Sequence, residues 1–293
     1  MLKACRIKQI GLDKDMEYRD RGGEVEVTGV PDFDLRKTFE CGQCFRWDAD
    51  EKGAYTGVAF GRAARLRREG GSVFISGAMG DFEAVWRDYF DLGRDYGEIR
   101  RRFGGDSFMR EAVSFGEGIR ILRQDKWEAL CSFIISQCNN IPRIKKIVAS
   151  LCREFGEKLE FEGEPRYAFP AAARLAPLDE ASLAPIRCGY RAEYIIGAAR
   201  AVADGGLDLG ALSRGAPEEA CAALKKLRGV GDKVADCVAL YGLNMLDSFP
   251  LDVWMKRAVK LHFGPSFDPA AFSPYAGIAQ QYIFYYMRNG AAP

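Results

Sequence analysis

The stretch Leu224-Lys-Lys-Leu-Arg-Gly-Val-Gly-Asp-Lys-Val-Ala-Asp-Cys237 decides how the chain is read. Two helices are expected over 224–243, joined by Gly229-Val230-Gly231, with the second opening at about Asp232. Glycines let the backbone turn tightly and let another molecule come close to it. The unpaired amides and the dipole at the start of the second helix then form an anion site suited to phosphate. A tight corner between two packed helices is the plainer alternative, and the hairpin alone leaves both open.

Lys233 lies in the first turn after the glycines. The positive end of a helix disfavours a cation there, and a neutral lysine amine is a nucleophile able to form a Schiff base. A solvated lysine touching a phosphate is the bland reading. Nineteen positions on, Asp252 in Phe249-Pro-Leu-Asp-Val253 opens another helix. As an N-cap it is worth about 1 kcal/mol, and capping also fixes its carboxylate in orientation.

Working outward, 217–227, 233–243, 253–262 and 275–288 read as helices, as do 125–138, 142–155, 170–176, 179–186 and 191–204. Before them, 24–28 alternates, and 44–48, 55–60, 63–68 and 73–76 follow as short strand-like runs separated by turn residues such as Gly61 and Gly70-Gly71. From Asp81, expected as an N-cap, the period becomes helical, with Phe82, Val85, Trp86, Tyr89 and Phe90 on one face. The fold class is therefore α+β, with a small N-terminal antiparallel sheet domain over 1–115 and a larger all-helical domain over 116–293.

Composition excludes several classes. Among 293 residues, 48% are hydrophobic and 28% charged, which fits a globular protein. No run approaches the ~18 apolar residues of a membrane helix, and the charged N-terminus lacks a signal-peptide core. An intracellular protein is expected. The nine cysteines are scattered and odd in number, so reduced thiols are expected. Cys41-Gly-Gln-Cys44 has redox or half-zinc spacing, but no second such pair exists and His262 is the single histidine. Net charge is +1, with 20 Lys+Arg against 21 Asp+Glu up to residue 115 and 22 against 20 beyond it. Any anion-binding surface must be a local patch.

The hairpin has the layout of a helix-hairpin-helix element, which grips the DNA backbone without reading sequence. With Lys233 and Asp252, the chain resembles the helix-hairpin-helix DNA glycosylase superfamily, in which a lysine at that place marks the bifunctional members. Within it, the chain is similar to 8-oxoguanine DNA glycosylase/AP lyases over nearly its whole length. Four further segments carry the likeness: Phe39-Glu-Cys-Gly-Gln-Cys-Phe-Arg-Trp47, Ser136-Gln-Cys-Asn-Asn-Ile-Pro-Arg143, Cys188-Gly-Tyr-Arg-Ala-Glu-Tyr194 and Tyr275-Ala-Gly-Ile-Ala-Gln-Gln-Tyr-Ile-Phe284.

The resemblance implies an enzyme that flips 8-oxoguanine out of duplex DNA. Lys233 would attack C1′, Asp252 would stabilise the cationic sugar, and β-elimination from the Schiff base would nick the strand. Gly229, Val230 and Gly231 would hold a DNA phosphate. Guanine N7 is an acceptor whereas the lesion carries N7–H, so the Gly42 carbonyl would attract the lesion and repel the normal base. Cys41 and Cys44 then become packing residues of a turn. Phe284 would stack on the base while Gln280, four residues back, reads its Watson–Crick edge. Cys237 would cover the other face as a charged pair with Lys233. Asn139, Asn140, Arg143 and Arg191 would meet the orphaned cytosine, and Tyr190 would wedge into the stack.

Three positions depart from the family pattern. Cys138 replaces the first of three asparagines, which would loosen the choice of opposite base. Trp254 stands where a phosphate-binding histidine is common, and Arg228 replaces a proline before Gly229. The expected partner is double-stranded DNA with 8-oxoguanine, preferably opposite cytosine. The expected protein is a monomer with no metal, no organic cofactor and no membrane contact. Excision of alkylated purines is the rival within the superfamily, against which Lys233 argues. The iron–sulfur branch is disfavoured because the cysteines after the hairpin stop at Cys237. A non-catalytic DNA-binding module is the rival outside it, distinguished by binding without strand cleavage.

Overall fold

Val25 and Val27 alternate with Glu24 and Glu26, so one face of their strand is apolar and has to be covered. The computed structural model, which describes residues 16–290, places that strand in a six-stranded antiparallel sheet whose apolar face shares a core with Phe39, Phe82, Trp86 and Phe90. The charged N-terminal stretch and Cys5 lie outside the described residues. The strands are β1 (Glu17–Asp20), β2 (Glu24–Thr28), β3 (Trp47–Ala49), β4 (Tyr55–Ala59), β5 (Arg62–Glu69) and β6 (Ser72–Ser76), in the order β1-β2-β6-β5-β4-β3. Val25 and Leu66 both register with Ile75, and Val27 with Val73, so the buried side chains form continuous cross-strand rows. Above them Phe39 stacks on Trp47 at 4.5 Å, and the Trp47 indole donates to the Tyr89 hydroxyl at 2.8 Å.

Two details differ from expectation here. Strand β1 is too polar to show alternation. The segment after residue 78 begins as a short helix at Met79 with Ala78 as its cap, and continues as a π-turn over Phe82–Trp86. Asp81 is therefore not an N-cap, and its carboxylate pairs with Arg62 at 2.7 Å. The apolar face inferred for Phe82, Val85, Trp86, Tyr89 and Phe90 is buried throughout.

The larger core is helical. The hairpin's second helix, Asp232–Tyr241, packs on Lys126–Ser136, and Val253–Ala258 packs on the C-terminal helix Ala276–Asn289. That core also takes in Cys41 and Phe45 and the helices Tyr96–Arg102 and Ser107–Phe115, so the two cores interlock. The domain is not all-helical. β7 (Lys158–Phe161) and β8 (Glu164–Tyr167) form a two-stranded hairpin around Glu162-Gly163, where both φ angles are positive.

Candidate active site

A cleft of about 1010 Å³ opens where the glycine hairpin, the start of Val253–Ala258, the end of Lys126–Ser136 and the Gly42 turn converge. Gly42, Lys233, Asp252 and Phe284 all line it, as do Cys138, Asn139, Asn140 and Trp254.

The Gly42 turn is fixed from beneath. A six-residue helix, Leu35–Glu40, capped by Asp34, delivers the chain to Cys41. Gln43 is fully buried; its amide nitrogen donates to the Thr38 carbonyl at 2.9 Å and the Arg120 carbonyl at 2.7 Å, and its oxygen accepts from the Leu122 amide at 2.8 Å. Gln281 donates to the Cys41 carbonyl at 3.3 Å while accepting from the Tyr241 hydroxyl at 2.6 Å. Gly42 itself has φ +89°, and a β-carbon there would lie 3.3 Å from Ile141 and 3.5 Å from the Phe284 ring. Only glycine fits. Cys41 and Cys44 are buried, and burial pushes the Cys41 thiol up to about 12, so neither is poised as a redox thiol.

Lys233 is half-buried, and its amine donates to the Ser136 hydroxyl at 3.3 Å and sits 5.5 Å from the Phe133 ring centre. Asp252 caps Val253–Ala258 by accepting from the Met255 amide at 2.8 Å. Burial raises the Asp252 carboxyl above its ordinary value, against the opposing pull of the Met255 and Trp254 amides and of Lys233. Flanking it, Leu251 and Val253 are exposed apolar residues, Val253 at 81%. Cys237 is buried, and burial pushes its thiol up to about 11 despite Lys233. Burial thus works against the expected charged pair with Lys233.

The remaining residues fall into two groups. Gly231 has nothing within 4 Å of a notional β-carbon, and no side chain caps the helix it opens, so its amide end is open to an approaching group. Gly229, by contrast, has φ +83° and is packed on Tyr194, whose ring would be 2.3 Å from a β-carbon. Val230 between them is buried. Tyr190 is 53% exposed at the head of Arg191–Ala203, with its ring 5.8 Å from that of Tyr194. Arg143 is exposed one turn into Ile141–Phe155, the helix that Asn140 caps.

Other residues are already engaged inside the protein. Gln280 is 3% exposed and donates to the Pro250 carbonyl at 3.3 Å, so it braces the Asp252 loop from behind the cleft wall. Arg191 is buried, donating to the Gln137 carbonyl at 3.0 Å and the Cys188 carbonyl at 3.2 Å. The Asn139 amide nitrogen donates to the Ile135 carbonyl at 3.2 Å. Arg228 pairs with Glu193, so its charge is already partnered. Trp254 is half-buried, packed against the core at one side of the cleft. Cys138 is exposed with φ +47°. Sequence reading passed over Ser136, Gln43 and Gln281, although each lies inside a segment that carried the resemblance.

Two family models match in tandem: the 8-oxoguanine DNA glycosylase N-terminal domain over residues 27–130, and the HhH-GPD superfamily base excision DNA repair protein over residues 131–271. The chain is 31% identical to the N-glycosylase/DNA lyase OGG1 of Arabidopsis thaliana, across 86% of this chain and 73% of that protein. It is 33% identical to the N-glycosylase/DNA lyase of Saccharomyces cerevisiae, across 77% of this chain and 67% of that protein. Among solved structures, it superposes with a TM-score of 0.87 at 38% identity on the Clostridium acetobutylicum 8-oxoguanine glycosylase/lyase, solved in complex with double-stranded DNA containing cytosine opposite 8-oxoguanine. That match covers 95% of this chain and 99% of the other.

Proposed function

The chain belongs to the HhH-GPD superfamily of base excision DNA repair proteins, among its 8-oxoguanine glycosylases, and from that premise we propose a bifunctional enzyme that excises 8-oxoguanine and nicks the strand through a Lys233 Schiff base. The observation that carries this reading is that the Lys233 amine and the Asp252 carboxyl open into one cleft with Gly42 and Phe284.

The base, everted from duplex DNA, enters against Phe284, and the Gly42 carbonyl accepts from its N7–H. Guanine offers a lone pair at that position and is repelled. Lys233, oriented by Ser136, forms a bond from its neutral Nζ to C1′ as the glycosidic C1′–N9 bond breaks and the base leaves with that electron pair. Asp252, ionised and fixed by its capping bonds, stabilises the positive charge that develops on the sugar. The departing base takes one proton from the resulting secondary ammonium, and as the C1′–O4′ bond breaks the other moves to O4′, giving the Schiff base. Removal of a C2′ proton then expels the 3′ phosphate by β-elimination.

The Gly231 amide end takes a backbone phosphate, and Tyr190 fills the vacated stack, with Asn139, Asn140 and Arg143 near the orphaned cytosine; Arg191 meets it only by giving up its carbonyl bonds. For Gln280 to read the base, it must exchange its bond to Pro250. Cys237 is buried and outside the cleft lining, so covering the other face of the base requires that it be uncovered. The enzyme acts as a monomer.

Borohydride reduction during reaction with a duplex containing 8-oxoguanine opposite cytosine should trap a covalent protein–DNA adduct. Lys233→Gln should give none, with strand cleavage reduced more than about a hundredfold. A wild type that cleaves the strand without any trappable adduct would falsify the Schiff-base route.

A further inference from the structure

Phe284 is followed, four residues on, by Arg288, on the same face of Ala276–Asn289 and lining the same cleft. An arginine in the last turn of a helix ordinarily spends its donors on the final carbonyls or on an acid. Arg288 makes no side-chain hydrogen bond or ion pair among the described residues, and its Nη1 is buried without a partner. Its charge reaches Cys41, the neighbour of Gly42, where it opposes the effect of burial on that thiol. A guanidinium nitrogen shut off from solvent and unpaired is costly, so the side chain gains by turning toward an acceptor that arrives in the cleft.

We propose that Arg288 is a specificity-determining residue of the base pocket, donating from its guanidinium to a ring carbonyl oxygen of the everted oxidised purine. The chemistry of the lesion matches. Along one edge 8-oxoguanine presents C6=O, N7–H and C8=O, which is acceptor, donor, acceptor. A pocket wall that offers the Gly42 carbonyl beside an arginine donor complements that alternation, and arginine is well suited to purine carbonyl oxygens. This inference rests on the reading of the cleft given above.

The test compares two single-turnover rates for each protein: excision from an 8-oxoguanine:cytosine duplex, and nicking of a pre-formed abasic site, which has no base to contact. For Arg288→Leu the ratio of the first to the second should fall about tenfold to a hundredfold. For Arg288→Lys, which keeps the charge but loses the planar fork, the fall should be smaller. Arg288→Gln replaces the leucine variant if that protein does not fold. A ratio equal to wild type overturns the proposal, whether both rates hold or both fall together, because a contact to phosphate or a purely structural role would move them in parallel. A wild type that fails to excise 8-oxoguanine at all would instead remove the functional reading itself.

Discussion

Asp252 caps a helix and, in the proposed mechanism, serves the chemistry with the same carboxylate; the two uses separate by substitution. Asparagine caps a helix about as well as aspartate, so Asp252→Asn should change unfolding free energy by less than about 1 kcal/mol, while excision of 8-oxoguanine slows by about a hundredfold or more. Thermal melting and single-turnover excision measure the two effects. The working form is the ionised one, and burial raises the carboxyl above the ordinary value of about 3.9. Activity is therefore present above the raised pKa and lost as pH falls through it. The contribution of Asp252 to the acid side of the rate profile should lie above about pH 4 and be absent in Asp252→Asn. A wild-type limb at or below that pH would contradict the burial argument.

At the scale of elements, the two hairpin glycines are required for different reasons. Gly229→Ala forces a β-carbon into Tyr194 at a positive φ, and should cost about 1–3 kcal/mol in urea unfolding. Gly231→Ala meets open space at φ −99°, so it should stay within about 1 kcal/mol of wild type yet weaken binding to duplex DNA, read by fluorescence anisotropy. The hairpin, strands β2, β4, β5 and β6 and the capping role of Asp252 were legible because each depends on local chemistry: glycine spacing, short strand-like runs between turns, an acid at a helix start. Depth was not. Gln280 and Phe284 share a helix face by spacing, but Ala276–Asn289 is buried almost all round through its first two turns, and periodicity does not say which turn opens into the cleft. Arg191 looked available from its place at a helix start, yet carbonyls 53 and 54 residues away in sequence absorb its donors. The β7–β8 hairpin escaped because its positive-φ turn is Glu-Gly, where the usual signal is Asn-Gly or Asp-Gly.

Across the whole molecule, Arg46, on the segment leading into the sheet, reaches Glu128 in the helical core at 3.1 Å, with both side chains about nine-tenths buried, and also donates to the Tyr167 carbonyl. Removing the acid leaves a buried cation without its counter-charge. Glu128→Ala should therefore cost about 3–5 kcal/mol in urea unfolding, and a loss below about 1 kcal/mol would mean that the pair does not hold the two cores in register. Burial of sulfur has a wider reach. Cys41, Cys44, Cys131, Cys152, Cys188 and Cys237 are sealed inside, and only Cys138 among the described cysteines is exposed. Native iodoacetamide labelling should thus modify Cys138 first and the sealed six only on unfolding. The oxidants that create 8-oxoguanine attack thiolates as well as guanine; sealing six sulfurs inside takes them out of that reach and leaves Cys138, at the cleft, as the exposed one.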